Sequence, residues 1–215
     1  MTDGKIINNR ANASGGGVYM SSGTSFTMNG GQIFDNLSNL NGGGVLVAPQ
    51  GNFNMINGVI YGNRAFSGGG VSISYRATFS MASGEISGNN GRNGGGVLIM
   101  HGATFVMRGG ELYGNTADHG GGVFSEGTFT MADGEISGNT ASGNGGGVLV
   151  TPGGVFTKTG GTIYGSTGAR NDNRARAGHA ALVMGMAGGG RRDTTAGPGI
   201  RLDSRSIGTL GGWES

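Results

Sequence analysis

The chain contains no cysteine, which excludes disulfides and thiolate metal sites and leaves the redox compartment open. Charge is scarce: only 12% of the 215 residues are Asp, Glu, Lys or Arg, so uncharged Ser, Thr, Asn and Gly must cover much of the outside. The net charge of +2 is too small to argue for a polyanionic partner. No apolar run approaches the roughly 20 residues of a membrane helix. The start, Met1-Thr2-Asp3-Gly4-Lys5, has no apolar stretch of the signal-peptide kind. Either the protein stays inside or the chain is a mature or truncated piece of something longer; the first repeat begins at Gly4 with no cap before it, which favours a piece.

Glycine is abundant instead, at 52 residues, but without the three-residue period of collagen. A disordered glycine-rich linker is the other compositional reading, and the 35% of apolar residues at recurring places argue against it. Gly-Gly-Gly-Val occurs six times, at Gly15–Val18, Gly42–Val45, Gly68–Val71, Gly94–Val97, Gly120–Val123 and Gly145–Val148, with a degenerate copy at Gly178–Ala181. The six valines are 27, 26, 26, 26 and 25 residues apart. Phe26, Phe53, Phe79, Phe105, Phe129 and Phe156 keep the same beat. A Met follows each Phe by two residues, except that Lys158 follows Phe156. Ile33, Ile60, Ile86, Leu112, Ile136 and Ile163 each come seven residues after their Phe, and Ile6 opens the series. Asn comes three residues later, at Asn9, Asn36, Asn63, Asn89, Asn115 and Asn139, until Ser166 breaks the series.

Within each unit the apolar period is two, the mark of a strand. Val-x-Val, Phe-x-Met and the Ile position therefore read as three short strands per repeat. None can bury its apolar face alone, but stacked repeats about 4.8 Å apart pair each strand with its equivalents. The expected fold is all-β: a right-handed, single-stranded parallel β-helix of about six to seven coils, roughly 30–35 Å long. Residues 4–184 form the repeat domain and 185–215 a C-terminal cap over the last strand edges, anchored by Trp213. The Asn column is expected at a corner, as an amide ladder. The last Ile-to-Val interval grows to 18 residues, which places a loop at Ser166–Ala177 carrying Arg170, Arg174 and Arg176.

Gly-Gly-Gly-Val alternating with Ile-x-x-Asn, as in Ile86-Ser87-Gly88-Asn89, resembles the paired motifs of the chlamydial polymorphic outer membrane protein repeat. Those are usually Gly-Gly-Ala plus an aliphatic residue, and Phe-x-x-Asn. The resemblance covers residues 4 to about 184 and implies a β-helical passenger on a bacterial surface, often adhesive. This chain departs from the pattern in two ways: glycine replaces the motif alanine, and no membrane β-barrel segment follows.

The outward column before the Ile position reads Lys5, Gln32, Val59, Glu85, Glu111, Glu135 and Thr162. Three stacked glutamates make a cation site or a sugar contact, or else an ordinary solvated charge ladder. Two residues on, Tyr61, Tyr113 and Tyr164 point the same way. Exposed aromatics beside acids are the composition of a carbohydrate-binding face, so Tyr61, Glu85, Glu111, Tyr113, Glu135 and Tyr164 are the candidate ligand contacts. Plain β-propensity fills the same positions in the bland reading. The Val-strand outward column (Tyr19, Leu46, Ser72, Leu98, Phe124, Leu149, Leu182) is the largest apolar stripe and calls for cover by a loop or partner.

Six glycine triplets leading into strands are turns, not phosphate loops, and no Gly-Gly-x-Gly-x-Asp calcium repeat is present. His101, His119 and His179 occupy different repeat positions, with the first two expected in turns, and form no metal column; no motif calls for a cofactor or catalytic set. Arg170, Arg174, Arg176, Arg191 and Arg192 make a basic patch, but without interleaved aromatics nucleic acid is not expected. The functional expectation is a secreted or surface-displayed bacterial β-helix acting as an adhesin-like binding or structural module for carbohydrate or a cell-surface protein. A polysaccharide-degrading β-helix enzyme ranks second, because a flat strand face offers no cleft and nearly all turns are short. Ice binding ranks third, since only one coil is Thr-x-Thr beside its Phe.

Overall fold

The computed structural model describes residues 1–165 and 172–176, together with the backbone of strands Ala181–Val183 and Ile200–Leu202. Among them every named element is a strand and every strand pairing is parallel. The chain winds as a right-handed parallel β-helix of about six turns. Its ladders match the repeat residue for residue: Val45 lies on Val71, Phe79 on Phe105, and Ile60 on Ile86.

A representative coil shows how the sequence makes each element. Val45–Val47 forms the first strand, and Asn52–Met55 the second after a short turn. Val59–Tyr61 is the third, and Asn63 then turns the chain at a buried corner. The Phe and Ile strands belong to one eleven-stranded sheet. They fuse into single ten-residue strands at Thr104–Tyr113 and Thr128–Ser137, with register shifts around Arg108 that keep both halves in line. The Val strands form an eight-stranded sheet that ends in Ala181–Val183 and Ile200–Leu202.

The structure adds a fourth short ladder after the Asn corner. It includes Arg10–Ala11, Leu37–Ser38, Asn90–Asn93, Thr116–His119, Thr140–Ala141 and Arg174–Ala175, and isolated bridges through Arg64 join its two halves. His119, expected in a turn, ends one of these strands and accepts a hydrogen bond at Nδ1 from the Asn144 amide.

The core is built from like on like. Phe26 through Phe156 stack in one column, with ring centroids 4.7 to 5.3 Å apart and planes within 19°. Each such pair contributes about 0.5–1.5 kcal/mol beyond the area it buries. The Val, Met and Ile columns complete the same cluster. Lys158, the exception in the Met column, is buried there.

The asparagines form the corner ladder. From Asn36 to Asn139 each Nδ2 donates to the next asparagine's Oδ1 and to a carbonyl of the preceding coil: Asn89 reaches Asn115 at 3.0 Å and Ile60 O at 2.9 Å. Each Oδ1 also accepts its neighbour's backbone amide, so the buried amide is fully used. The series does not stop at Ser166, as the spacing had implied. Asn173 takes the seventh place, accepting from Asn139 Nδ2 at 2.9 Å, and is itself fully buried. The insertion therefore lies ahead of Asn173, and Arg174 belongs to a strand rather than to a loop. Ser166, Arg170, His179, Arg191, Arg192 and Trp213 lie outside the described residues.

The glycine triplet has two separate jobs. Its first residue takes a left-handed turn, as at Gly94 with φ 68°. Its second leaves no room for a side chain: a Cβ on Gly95 would sit 2.5 Å from the carbonyl oxygens of Gly121 and Thr116. These corners also bear on the outward column of the Val strands, for which cover was expected. Leu46, Leu98, Phe124 and Leu149 do not form an exposed stripe; they are only 7, 5, 7 and 3% exposed. Leu98, Phe124 and Leu149 pack as a second small cluster with Met100, and the corner glycines press against them. Tyr19, in the first coil, does remain exposed.

Candidate functional site

The Ile strand holds its outward residues in strict register. Glu85 pairs with Glu111 and Glu111 with Glu135, so the three glutamates occupy consecutive rungs. In the neighbouring column Tyr61 is followed by Ser87, Tyr113 and Ser137. Ile163 pairs with Ile136, which puts Tyr164 on the rung after Ser137. Large and small residues thus alternate: a tyrosine stands on every second rung, about 10 Å from the next, with a nearly buried serine between. Tyr61 is also the end of a short stack, its ring 4.6 Å from that of Phe34.

The six candidate residues are brought onto one strip, and three of the strip's side chains are directly linked. Tyr113 donates its hydroxyl to Glu85 Oε1 at 2.7 Å, diagonally across one rung, and Ser87 Oγ donates to the same oxygen. The bond to Glu85 is the main reason that Tyr113 ionises above its ordinary value, with partial burial second. The same two donors draw the Glu85 carboxylate towards the tyrosine column, which relieves its repulsion with Glu111. Among the described residues neither Tyr61 nor Tyr164 hydrogen-bonds a glutamate, so they share the strip through register alone.

The strip is not flat, contrary to the expectation from strand geometry. Beside the glutamates runs an open trough of about 630 Å³. Its floor is a glycine column that includes Gly58, Gly84, Gly110, Gly134 and Gly161, all with positive φ. This column sits between the Phe and Ile strands, where the chain bends without side chains. Glu85, Glu111 and Glu135 form one side, and Asp133 adds a fourth carboxylate. The sequence carried the signal for this trough: a glycine stands three residues after each Met from Gly31 to Gly134, and Gly161 holds the place after Lys158.

A second groove, of about 790 Å³, follows the fourth ladder. Arg64, Arg92, Arg176 and Phe66 line it, and Asp118 is its one carboxylate. Its signal was Asn-x-Ala, repeated at Asn9-Arg10-Ala11, Asn63-Arg64-Ala65, Asn115-Thr116-Ala117, Asn139-Thr140-Ala141 and Asn173-Arg174-Ala175. The same triplet identifies Asn173 as the true ladder member. Among the described residues no three His, Asp or Glu side chains gather into a metal-holding group. No helix of the described residues is long and apolar enough to cross a membrane.

No family model, curated protein or solved structure matches this chain.

Proposed function

We propose that this protein is a non-catalytic binding module of a bacterial surface or secreted β-helix, and that its Tyr–Glu strip contacts carbohydrate. One observation carries the reading: tyrosines recur on every second rung beside an open, acid-lined trough. Tyrosine faces about 10 Å apart suit the apolar faces of alternate sugar rings, and the carboxylates accept from sugar hydroxyls. Glu85 is already held by Tyr113 and Ser87, so part of the polar array is set before a ligand arrives. Binding without lyase-type turnover is favoured because, among the described residues, no lysine or arginine lines the trough to neutralise an acidic sugar beside its four carboxylates. The surface location rests on the repeat resemblance and on the uncharged polar exterior.

The test is a glycan array with the full chain, beside a Tyr61→Ala/Tyr113→Ala variant. The reading expects one or a few neutral glycans bound by the parent and lost by at least tenfold in the variant, with unchanged circular dichroism. Equal binding by both proteins overturns the strip as the site. Release of new reducing or unsaturated ends from a bound glycan overturns the non-catalytic reading.

A further inference from the structure

The groove on the fourth ladder has a chemistry opposite to that of the trough. Its floor is small and buried: Ala65, Gly91, Ala117 and Ala141. Because side chains alternate along a strand, the residues on either side of each floor position stand up as walls. One wall carries Arg64, Asn90, Thr116 and Thr140, and the register continues it to Arg174. The other carries Phe66, Arg92, Asp118, Ser142 and Arg176.

This second wall is tied together before any ligand binds. The Arg92 guanidinium carbon lies 5.5 Å from the Phe66 ring centroid, and its Nε is 3.9 Å from Asp118 Oδ2. Ser142 Oγ donates to Asp118 Oδ1 at 3.1 Å. Arg64 and Arg176 make no ion pair with a described residue. The positive charge is therefore in excess and sits near the two ends, with Thr116, Thr140 and Ser142 between.

We infer that this groove binds a linear acidic polysaccharide, independently of the Tyr–Glu strip. Uronate carboxylates pair with Arg64 and Arg92 at one end and with Arg174 and Arg176 at the other, three to four rungs or about 15–20 Å away. Sugar hydroxyls meet the threonines and Ser142 between them, and the Ala and Gly floor lets the rings approach the sheet. The backbone argues against an acidic peptide. The Thr116, Thr140 and Ser142 amides already donate within the stack at 2.8 to 3.0 Å, so these rungs of the groove offer no free strand edge to another chain. A single-stranded nucleic acid would need more stacking rings than Phe66 supplies.

The experiment titrates the full chain with polygalacturonate fragments at low and moderate salt. Expected is binding that weakens as salt rises, is lost at least tenfold in Arg64→Gln/Arg92→Gln, and is unchanged in Tyr61→Ala/Tyr113→Ala. Neutral dextran should not displace the polygalacturonate fragments. The substituted arginines are exposed, and circular dichroism confirms that the variant folds. The inference is overturned by absence of binding, by an unaffected arginine variant, or by polyglutamate or duplex DNA binding as tightly as the polysaccharide.

Discussion

Asn139 donates its side-chain amide to Asn173 across 34 residues, whereas the other asparagine steps span 24 to 27. The bond has the same 2.9 Å length as its neighbours despite the inserted loop. The corner thus tolerates extra chain before the asparagine but keeps the asparagine itself. From Asn36 to Asn173 each amide in this ladder is buried, uses both donors, and accepts twice.

Removing one amide from the middle should therefore be costly. Asn89→Ala deletes four hydrogen bonds: it leaves the Asn63 backbone amide without an acceptor, takes one of two partners from Asn63 Nδ2 and from Asn115 Oδ1, and removes one donor from Ile60 O. At about 1–3 kcal/mol for the buried amide left unpaired and about 1 kcal/mol for each of the other bonds, partly relieved by water, the expected loss is about 3–5 kcal/mol. Urea denaturation followed by circular dichroism measures it. A loss under about 1 kcal/mol would show that the ladder is decoration on a stack held by its apolar columns.

Much of this architecture was legible in the sequence because a solenoid maps one-dimensional spacing directly onto contact. Phe79 meets Phe105 because they are one coil apart, and the same rule put Glu85 beside Glu111. Two things escaped. Spacing counted from Ile163 pointed to Ser166, because a constant offset cannot see an insertion; the local triplet Asn173-Arg174-Ala175 could. The grooves escaped because they arise where side chains are missing, over Gly84 and Ala117, and a pattern of apolar residues is blind to absent ones. The diagonal bond from Tyr113 to Glu85 depends on rotamers, which no spacing encodes.

That bond predicts a pH dependence. Tyr113 has its ionisation pushed above the ordinary value of 10.0, first by its hydrogen bond to Glu85 and then by burial. A phenol whose folded value is raised stabilises the fold fully below its unfolded value, and the contribution disappears as pH rises through the raised one. Resolved tyrosine titration by NMR should therefore find Tyr113 ionising above 10, and Glu85→Gln should bring its midpoint down. A Tyr113 midpoint that ignores the Glu85 substitution would mean that the hydroxyl is not held by that carboxylate.

The phenylalanine column separates a stack that is uniform along its length from one that weakens at its ends. Phe105 is fully buried between Phe79 and Phe129, with centroids 4.8 and 5.1 Å away. Phe26 has a single ring neighbour, Phe53 at 5.3 Å, and is only partly buried. Phe105→Ala removes two ring contacts and opens a cavity in the middle of the core, for an expected loss of about 3–5 kcal/mol. Phe26→Ala removes one contact and leaves a space that solvent already reaches, so about 1–2 kcal/mol is expected. In a linear array each coil is stabilised only by its neighbours, so the central substitution should also split the unfolding transition, while the terminal one only shifts it. Denaturant unfolding read by both circular dichroism and tyrosine fluorescence tests this. Equal losses at the two sites would mean that Phe26 is covered as fully as Phe105, and that the first coil is not an end.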